Sequence, residues 1–526
     1  MCGILVSTDQ NIDLQAFQKG LQTLQRRGPD ESRIEMTGGG ILGFQRLAVM
    51  DLSEAGMQPF HHHHSALVCN GEIYGWRPLK QQLRQKYEFI SDSDCEILLP
   101  LYEELGNEMF IRLDGEFALV LYDHRHQRWV AARDPIGIRP LFYGTTRQGA
   151  IAFGSTARSL QPFCTGIAPF PPGHYYCDGQ FHCYNDIAQT QHDHNESLEV
   201  LCQNIHDRLI DGVLKRMDAD APVGYLLSGG LDSSLVCAIA QKHSAAAIRT
   251  FAIGMDKDAI DLKYARQVAE AIGSDHTEVI IHRQQVLDAL PEVIQSLETW
   301  DITTIRASLG MALLCREIHR TTGIKVLFTG EISDELFGYK YTDFAPSAEQ
   351  FQKEAQKRIR ELYMYDVLRA DRCISDHGME GRVPFGDLSF VRYVMDIDPA
   401  RKMNTYGIGK YLLRKAFEAD GLLPRSILYR DKAAFSDAVG HSLVEDLQEY
   451  ADELYSDLMF HQRCRQYAWC PPYTKESLLY RDLFEQFYPG MGKLIAAYWL
   501  PNQSWKGCQV SDPSARVLSN YGKSGE

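Results

Sequence analysis

Apolar positions recur at helical spacing at Leu14, Phe17, Leu21 and Leu24, which predicts an amphipathic helix closed by Arg27-Gly28-Pro29-Asp30. The Gly38-Gly39-Gly40 turn then leads into an apolar stretch over Arg46-Leu47-Ala48-Val49 that suits a strand. Ala66, Leu67 and Val68 predict a second strand, ending at Asn70-Gly71-Glu72-Ile73-Tyr74, and Ser93-Asp94-Cys95-Glu96 caps a helix running through Leu98, Leu99 and Tyr102. Asp123 to Gln127 form a hairpin turn between the apolar runs Phe117–Tyr122 and Trp129–Ala132. After a polar linker from Asn185 to Glu199 the rhythm changes. Apolar runs at Val223–Leu227, Ile248–Ile253, His276–Ile281 and Lys325–Phe328 now alternate with helical patterns, as in a doubly wound parallel sheet.

Composition narrows the class. At 526 residues the chain is long enough for more than one domain, and 44% hydrophobic with 23% charged residues is ordinary for a globular protein. A net charge of −15 argues against nucleic acid as a partner, because a phosphate backbone calls for a basic face. No apolar run approaches membrane-spanning length and no signal pattern opens the chain, so no membrane association is expected. Thirteen cysteines without CxxC pairs fit reduced thiols, and a cytoplasmic location is expected. The oligomeric state stays open, a homodimer included. The run His61-His62-His63-His64 lies between strands without acidic or thiol partners at ligand spacing and is expected to be a solvated loop.

The chemistry concentrates in Leu226-Leu227-Ser228-Gly229-Gly230-Leu231-Asp232-Ser233-Ser234. An apolar strand, a glycine pair and a helix start present several backbone N–H groups to an anion. Ser228, Ser233 and Ser234 add hydroxyls, and no lysine stands where a Walker A loop needs one. The loop therefore suits a pyrophosphate leaving group, with Asp232 free to hold Mg²⁺. It resembles the SGGxDS loop of enzymes that split ATP into AMP and pyrophosphate. Leu227 and Ile253 end two strands and could flank an adenine ring.

At the other end, Met1 precedes Cys2 and Gly3, and methionine before a small residue is commonly removed. Cys2 would then carry both a thiol and an α-amine, whose pKa of about 7.7–8.0 suits a general base, and Gly3 would leave room for substrate beside the thiol. Together with the stretches around Arg27, Arg46, Asn70 and Asp94, this start resembles the class II glutamine amidotransferase domain. That resemblance implies an αββα sandwich with an N-terminal nucleophile. It also implies a thiolate attack by Cys2 and an oxyanion site at Asn70 and Gly71. Glutamine would be bound by Arg46, Leu47, Val49, Asn70, Gly71, Glu72 and Asp94, with Arg46 on the α-carboxylate and Asp94, alongside Glu72, on the α-ammonium.

Further motifs complete the resemblance. Phe328-Thr329-Gly330-Glu331-Ile332-Ser333-Asp334-Glu335 is similar to the second ATP signature of asparagine synthetases. It implies ATP contacts at Thr329 and Gly330, Asp334 paired with Asp232 on Mg²⁺, and Glu331 as the acceptor-site carboxylate. Asp431-Lys432-Ala433-Ala434-Phe435-Ser436-Asp437, downstream of Glu380-Gly381-Arg382-Val383-Pro384-Phe385, resembles the family stretch whose lysine, here Lys432, neutralises charge at the α-phosphate. Thr299 to Ser308 resembles the aspartate-side segment, which implies acceptor binding by Thr303, Thr304 and Arg306.

The resemblance implies two domains: an N-terminal-nucleophile sandwich over residues 2–190 and a doubly wound parallel α/β ATP-pyrophosphatase domain over 197–510. Residues 511–526 are expected as a loose polar tail. The implied activity is a glutamine-dependent, ATP-consuming amide synthesis through an acyl-adenylate, with aspartate as the leading acceptor. Alternatives are amidation of a different small carboxylate, or a regulatory protein without turnover. Departures from the family pattern fall at Arg26, where His is usual, at Ser155-Thr156-Ala157-Arg158, at Leu309-Gly310 and at Phe337-Gly338-Tyr339. Two more matter most: Ile332, where Gly is usual, and Gly386, where Leu is usual. A bulky Ile332 beside Glu331 suggests a reshaped acceptor pocket.

Overall fold

The computed structural model describes residues 1–191, 196–255, 259–431 and 441–521, and its N-terminal half is built on two six-stranded antiparallel sheets. In the first sheet Gly3–Ser7 is an interior strand, paired with Gly40–Arg46 on one side and Ile151–Gly154 on the other. The second sheet is centred on Gly115–Asp123, between Arg128–Arg133 and Ser65–Ile73. Ile4, Val6, Leu42 and Phe44 meet Val68, Ala118, Val120 and Ala131 in one apolar cluster, so the sheets stack face to face. The helix Leu14–Gln22, capped by Asp13, lays Phe17 and Leu21 on the outer face of the first sheet. Leu98–Leu105 covers the second with Leu98 and Tyr102. The result is the four-layer αββα sandwich.

The strand expected at 46–49 lies earlier, at Gly40–Arg46. Its ladder partner begins at Gly3, opposite Gln45, so pairing runs out at Arg46 and frees Leu47 to Val49 to turn toward Cys2. Gly3 itself serves close packing rather than substrate room. A Cβ there would lie 2.7 Å from the Leu24 Cβ.

The C-terminal half holds a five-stranded parallel sheet in the order Asp275–Ile280, Arg249–Gly254, Val223–Leu226, Val326–Phe328, Glu380–Arg382. Four of these strands match the apolar runs. Glu380–Arg382 is too short and too charged to announce itself, and its charges are matched inside, Arg382 against Glu380 at 2.9 Å and Glu72 at 3.0 Å. Among the described residues, no helix is long and apolar enough to cross a membrane.

The two halves are joined by buried ion pairs. Arg27 donates two bonds to Asp371, at 2.7 and 3.1 Å, Arg216 reaches Glu116 at 2.8 Å, and Arg139, itself 2.9 Å from Glu116, donates to the Gly381 carbonyl at 2.8 Å. Residues 511–521 are not a loose tail but pack against the C-terminal half. Asp512 receives two bonds from Arg306, and Leu518 is buried in an apolar cluster with Tyr341, Phe351 and Trp505. The segment carries few apolar residues, which is why it looked unstructured, yet Ala515, Leu518 and Tyr521 are buried.

Candidate active sites

Cys2 sits at the entry to the interior strand Gly3–Ser7, and the sheet register sets its Sγ 3.5 Å from the Leu47 N–H. Burial pushes the thiol up to about 11 with Met1 in place, against the pull of the terminal ammonium and of the Leu47 backbone. That ammonium is itself buried, donates to the Met379 carbonyl at 3.0 Å, and is lowered to about 5 by burial. Asn70, within Ser65–Ile73, is fully buried, and neither its Nδ2 nor its Oδ1 has a hydrogen-bond partner. An unpaired buried amide is costly, so a donor left open in this way fits a group that a substrate oxygen will occupy.

Gly71 lies beside it, where a Cβ would meet the Glu116 carbonyl at 2.5 Å. Asp94 accepts the Ile73 N–H at 2.7 Å, and burial raises its carboxyl to about 6. Burial also holds Glu72 well above the usual carboxylate range, against the pull of Arg382. Arg46 is anchored by Glu31 at 2.5 Å and by the Ser53 and Asp51 carbonyls, which fix the loop after it. Val49 contributes its carbonyl, which accepts from Asp220 and Ala221 across the domain contact.

In the second domain the strand Val223–Leu226 leads through Ser228 to Gly230 into the helix Leu231–Lys242. Gly229 takes φ +69°, and a Cβ there would lie 2.5 Å from the Ala265 backbone, so the turn needs glycine. Ser233 Oγ lies 3.0 Å from Ser228 Oγ and receives the Ser228 N–H, which closes the loop on itself. Ser234 Oγ and Thr329 Oγ1 are buried without partners. Gly330 brings the following loop close, since a Cβ on it would meet the Ser233 nitrogen at 2.8 Å.

Asp232 and Asp334 thereby converge on one cation, the ammonium of Lys410. Its Nζ lies 2.8 and 2.9 Å from the Asp232 oxygens, 3.0 Å from Ser333 Oγ and 2.5 Å from Asp334. Two carboxylates focused on a single positive charge are hard-oxygen donors of the kind Mg²⁺ takes.

These groups line a cavity of about 540 Å³, whose apolar wall includes Leu227, Phe251 and Ile253. Glu331 faces it, paired with Arg369 at 2.6 Å. Thr303 Oγ1 is buried without a partner, and the Thr304 hydroxyl donates to Asp301, the residue that caps this helix. The Arg306 guanidinium is held by Glu476 at 2.6 and 2.8 Å and by Asp512 at 2.9 and 3.1 Å. Ser514, Asn520 and Tyr521 from the chain's end complete the wall. Lys432 lies outside the described residues.

Ile332 lines the same cavity as Glu331. Its side chain turns toward the domain contact, where its Cδ1 lies 2.9 Å from the position a Cβ on Gly386 would take. The histidine run is not wholly a loop: His61 and His62 end the strand Phe60–His62, His63 and His64 turn, and the run does have an acidic partner, Glu103, at 2.8 and 3.5 Å from His62 and His63.

Sequence reasoning missed Lys410 and Arg369. Lys410 had a signal in Gly407-Ile408-Gly409-Lys410, a glycine-rich turn ending in a lysine held at φ +57°. Arg369 had none, being one arginine on the amphipathic helix Asp366–Ser375.

Comparison with known proteins agrees with this division of labour. A glutamine amidotransferase domain family model matches residues 1–171, and an asparagine synthase family model matches 204–350 and 340–511. The glutamine-hydrolysing asparagine synthetase of Homo sapiens is 40% identical over 566 aligned positions, covering 99% of each chain. That of Gallus gallus is 39% identical over 567, again covering 99% of each, and a probable asparagine synthetase of Dictyostelium discoideum is 39% identical over 98% of each.

Proposed function

The chain belongs to the family of glutamine-hydrolysing asparagine synthetases, and on that premise we propose that it makes asparagine from aspartate, glutamine and ATP. The observation that carries the reading is the pairing of two unlike sites in one chain. One half holds a thiol beside the Leu47 N–H and, on the facing sheet, an unpartnered buried amide, and two aspartates converge beneath a phosphate-type loop in the other.

In the first site the Cys2 sulfur would attack the side-chain carbonyl carbon of glutamine. Asn70 Nδ2 and the Gly71 N–H suit the oxygen that gains charge, an interaction worth roughly 3 kcal/mol. Ammonia leaves, and water cleaves the resulting thioester to glutamate. Excision of Met1 would replace its buried ammonium with the α-amine of Cys2, near enough to take the thiol proton. Leu47 and Val49 shape the site, Arg46 suits the substrate α-carboxylate, and Asp94 with Glu72 suits its α-ammonium.

In the second site the side-chain carboxylate of aspartate attacks the α-phosphorus of ATP and pyrophosphate departs. The N–H groups of Asp232 and Ser233 at the start of the helix Leu231–Lys242, with the Lys410 ammonium, suit the departing phosphates. Asp232 and Asp334 would hold Mg²⁺, which supplies further positive charge there when bound. Lys432 would serve the α-phosphate, while Thr329 and Gly330 border the nucleotide. Ammonia then attacks the acyl carbon, passes its extra proton to Glu331, and AMP leaves. Thr303, Thr304 and Arg306 would receive aspartate.

All thirteen cysteines are unpaired, which supports a reducing, cytoplasmic setting. Incubation with ATP, Mg²⁺, glutamine and aspartate should yield pyrophosphate, AMP, glutamate and asparagine in step. Turnover only with another acid from a panel of small carboxylates would reassign the acceptor. Glutamine hydrolysis without any synthesis would overturn the proposal.

A further inference from the structure

The strands Phe60–His62 and Ser65–Ile73 are joined by two residues, His63 and His64, and both hold positive φ, +44° and +69°. That is the pattern of a type I′ hairpin turn, where Asn-Gly is the usual pair and two histidines are a costlier choice. The turn also breaks the alternation that sends successive side chains of a strand to opposite faces. The rings of His62 and His63 stand 4.0 Å apart instead, tilted by 42°.

Glu103, on the helix Leu98–Leu105, meets both of them. Its carboxylate lies 2.8 Å from His62 Nε2 and 3.5 Å from His63 Nδ1, and the three ligand atoms fall within 4.8 Å of one another. Among the described residues, no other three His, Cys, Asp or Glu side chains bring ligand atoms so close. His62 Nε2 is buried and has no hydrogen-bond partner, although the carboxylate is so near. Close approach without a shared hydrogen suits a shared ion, since ligands about 2.1 Å from a tetrahedral metal stand about 3.4 Å apart. Tyr87 packs edge-on against the His62 ring at 5.0 Å and fixes its plane, while the exposed His63 ring is free to swing the remaining distance.

Two imidazoles with one carboxylate select a zinc-class ion over Mg²⁺, which prefers an all-oxygen set. We infer that His62 Nε2, His63 Nδ1 and Glu103 form a binding site for one such divalent ion, with water as the fourth ligand. The ion ties the hairpin to the helix Leu98–Leu105. The strand Ser65–Ile73 carries Asn70 to Glu72, and the helix follows Asp94 after the short turn Cys95–Ile97. The staple therefore braces the two segments that flank the first site, whatever that site binds.

The test titrates Zn²⁺ into the full-length protein after chelation, with excess Mg²⁺ present for Asp232 and Asp334. The unaltered chain should bind one ion more than Glu103→Gln or His63→Ala, with a dissociation constant of about 10 μM or below. Thiols and other histidines are common to all three chains and cancel in that comparison. At about a hundredfold excess over that constant, the melting temperature of the unaltered chain alone should rise by about 5 °C. Amide exchange along Ser65–Ile73 should slow in the same chain. His63→Asn combined with His64→Gly restores the favoured turn, so it should melt no lower than the zinc-free unaltered chain and yet lose the zinc response. Equal zinc binding by every chain, binding only near millimolar zinc, or a turn variant that keeps the response would each overturn the site. Zinc bound there without slower exchange in Ser65–Ile73 would overturn the staple.

Discussion

Lys410 Nζ lies 2.8 and 2.9 Å from the two carboxylate oxygens of Asp232, and the same ammonium reaches Asp334 at 2.5 Å. One lysine therefore holds together the two acidic ends of the phosphate site. Lys410→Met would leave those carboxylates facing each other across the cavity, so pyrophosphate release should fall about 100-fold, while glutamine hydrolysis at Cys2 continues. Lys410→Arg should not rescue it, because a planar fork cannot place one charge within 3.0 Å of Asp232, Asp334 and Ser333 together. A pyrophosphate assay run beside a glutaminase assay separates this from general unfolding.

Cys2→Ala removes the sulfur that approaches the Leu47 N–H and should abolish glutamine-driven synthesis. The pocket around Asp232, Glu331 and Lys410 is built from other elements, so synthesis from added ammonium should stay within about twofold. Equal loss of both would show that the two sites are not chemically separate.

The sequence exposed those parts of the molecule whose chemistry is written in short contiguous runs. Ser228 to Ser234 and Cys2 with Asn70 are of that kind, and the alternating apolar runs located four of the five parallel strands. What stayed hidden depends on contacts between distant segments. Lys410 and Asp232 are 178 positions apart, and Arg27 and Arg139 find Asp371 and the Gly381 carbonyl in the opposite half of the chain. The strand Glu380–Arg382 escaped notice because its burial is made possible by charge pairing, not by apolar side chains. Ile332 showed in the sequence as an anomaly, but the direction of its side chain was set by the room at Gly386, which no local pattern carries.

The packed chain end predicts a selective effect of truncation. Asp512 supplies one of the two carboxylates that hold Arg306, and Asn520 ties the end to the Lys340 carbonyl and Asp343. Arg306 also holds Asp512 low, at about 2 despite burial, through hydrogen bonds and charge. A chain ending at residue 510 should raise the KM for aspartate about tenfold, through lost orientation of Arg306, with little change in glutaminase rate. Asp512→Asn, which keeps the shape, should give a smaller rise in the same direction. An unchanged aspartate KM in both would remove Arg306 and the chain end from acceptor binding.

Asp94 makes a prediction in which stability and function move in opposite directions. Its carboxyl is raised to about 6 by burial, against about 3.9 in an unfolded chain. Between those values the folded protein holds a proton that the unfolded chain has released, so stability falls as pH rises from about 4 to 6 and is flat above. The charged carboxylate thus costs on the order of 2–3 kcal/mol at neutral pH in the absence of substrate. The α-ammonium of glutamine would be its missing partner, and binding needs the charged form. The KM for glutamine should therefore climb as pH drops below about 6. Asp94→Asn keeps an oxygen to accept the Ile73 N–H, so it should raise the melting temperature at pH 8. It should also weaken glutamine binding about tenfold or more and flatten the pH dependence of KM below 6. Thermal melts with and without glutamine at pH 5 and pH 8 check both arms, and a variant that lost stability at pH 8 would show that the carboxylate already has a compensating charge in the free enzyme.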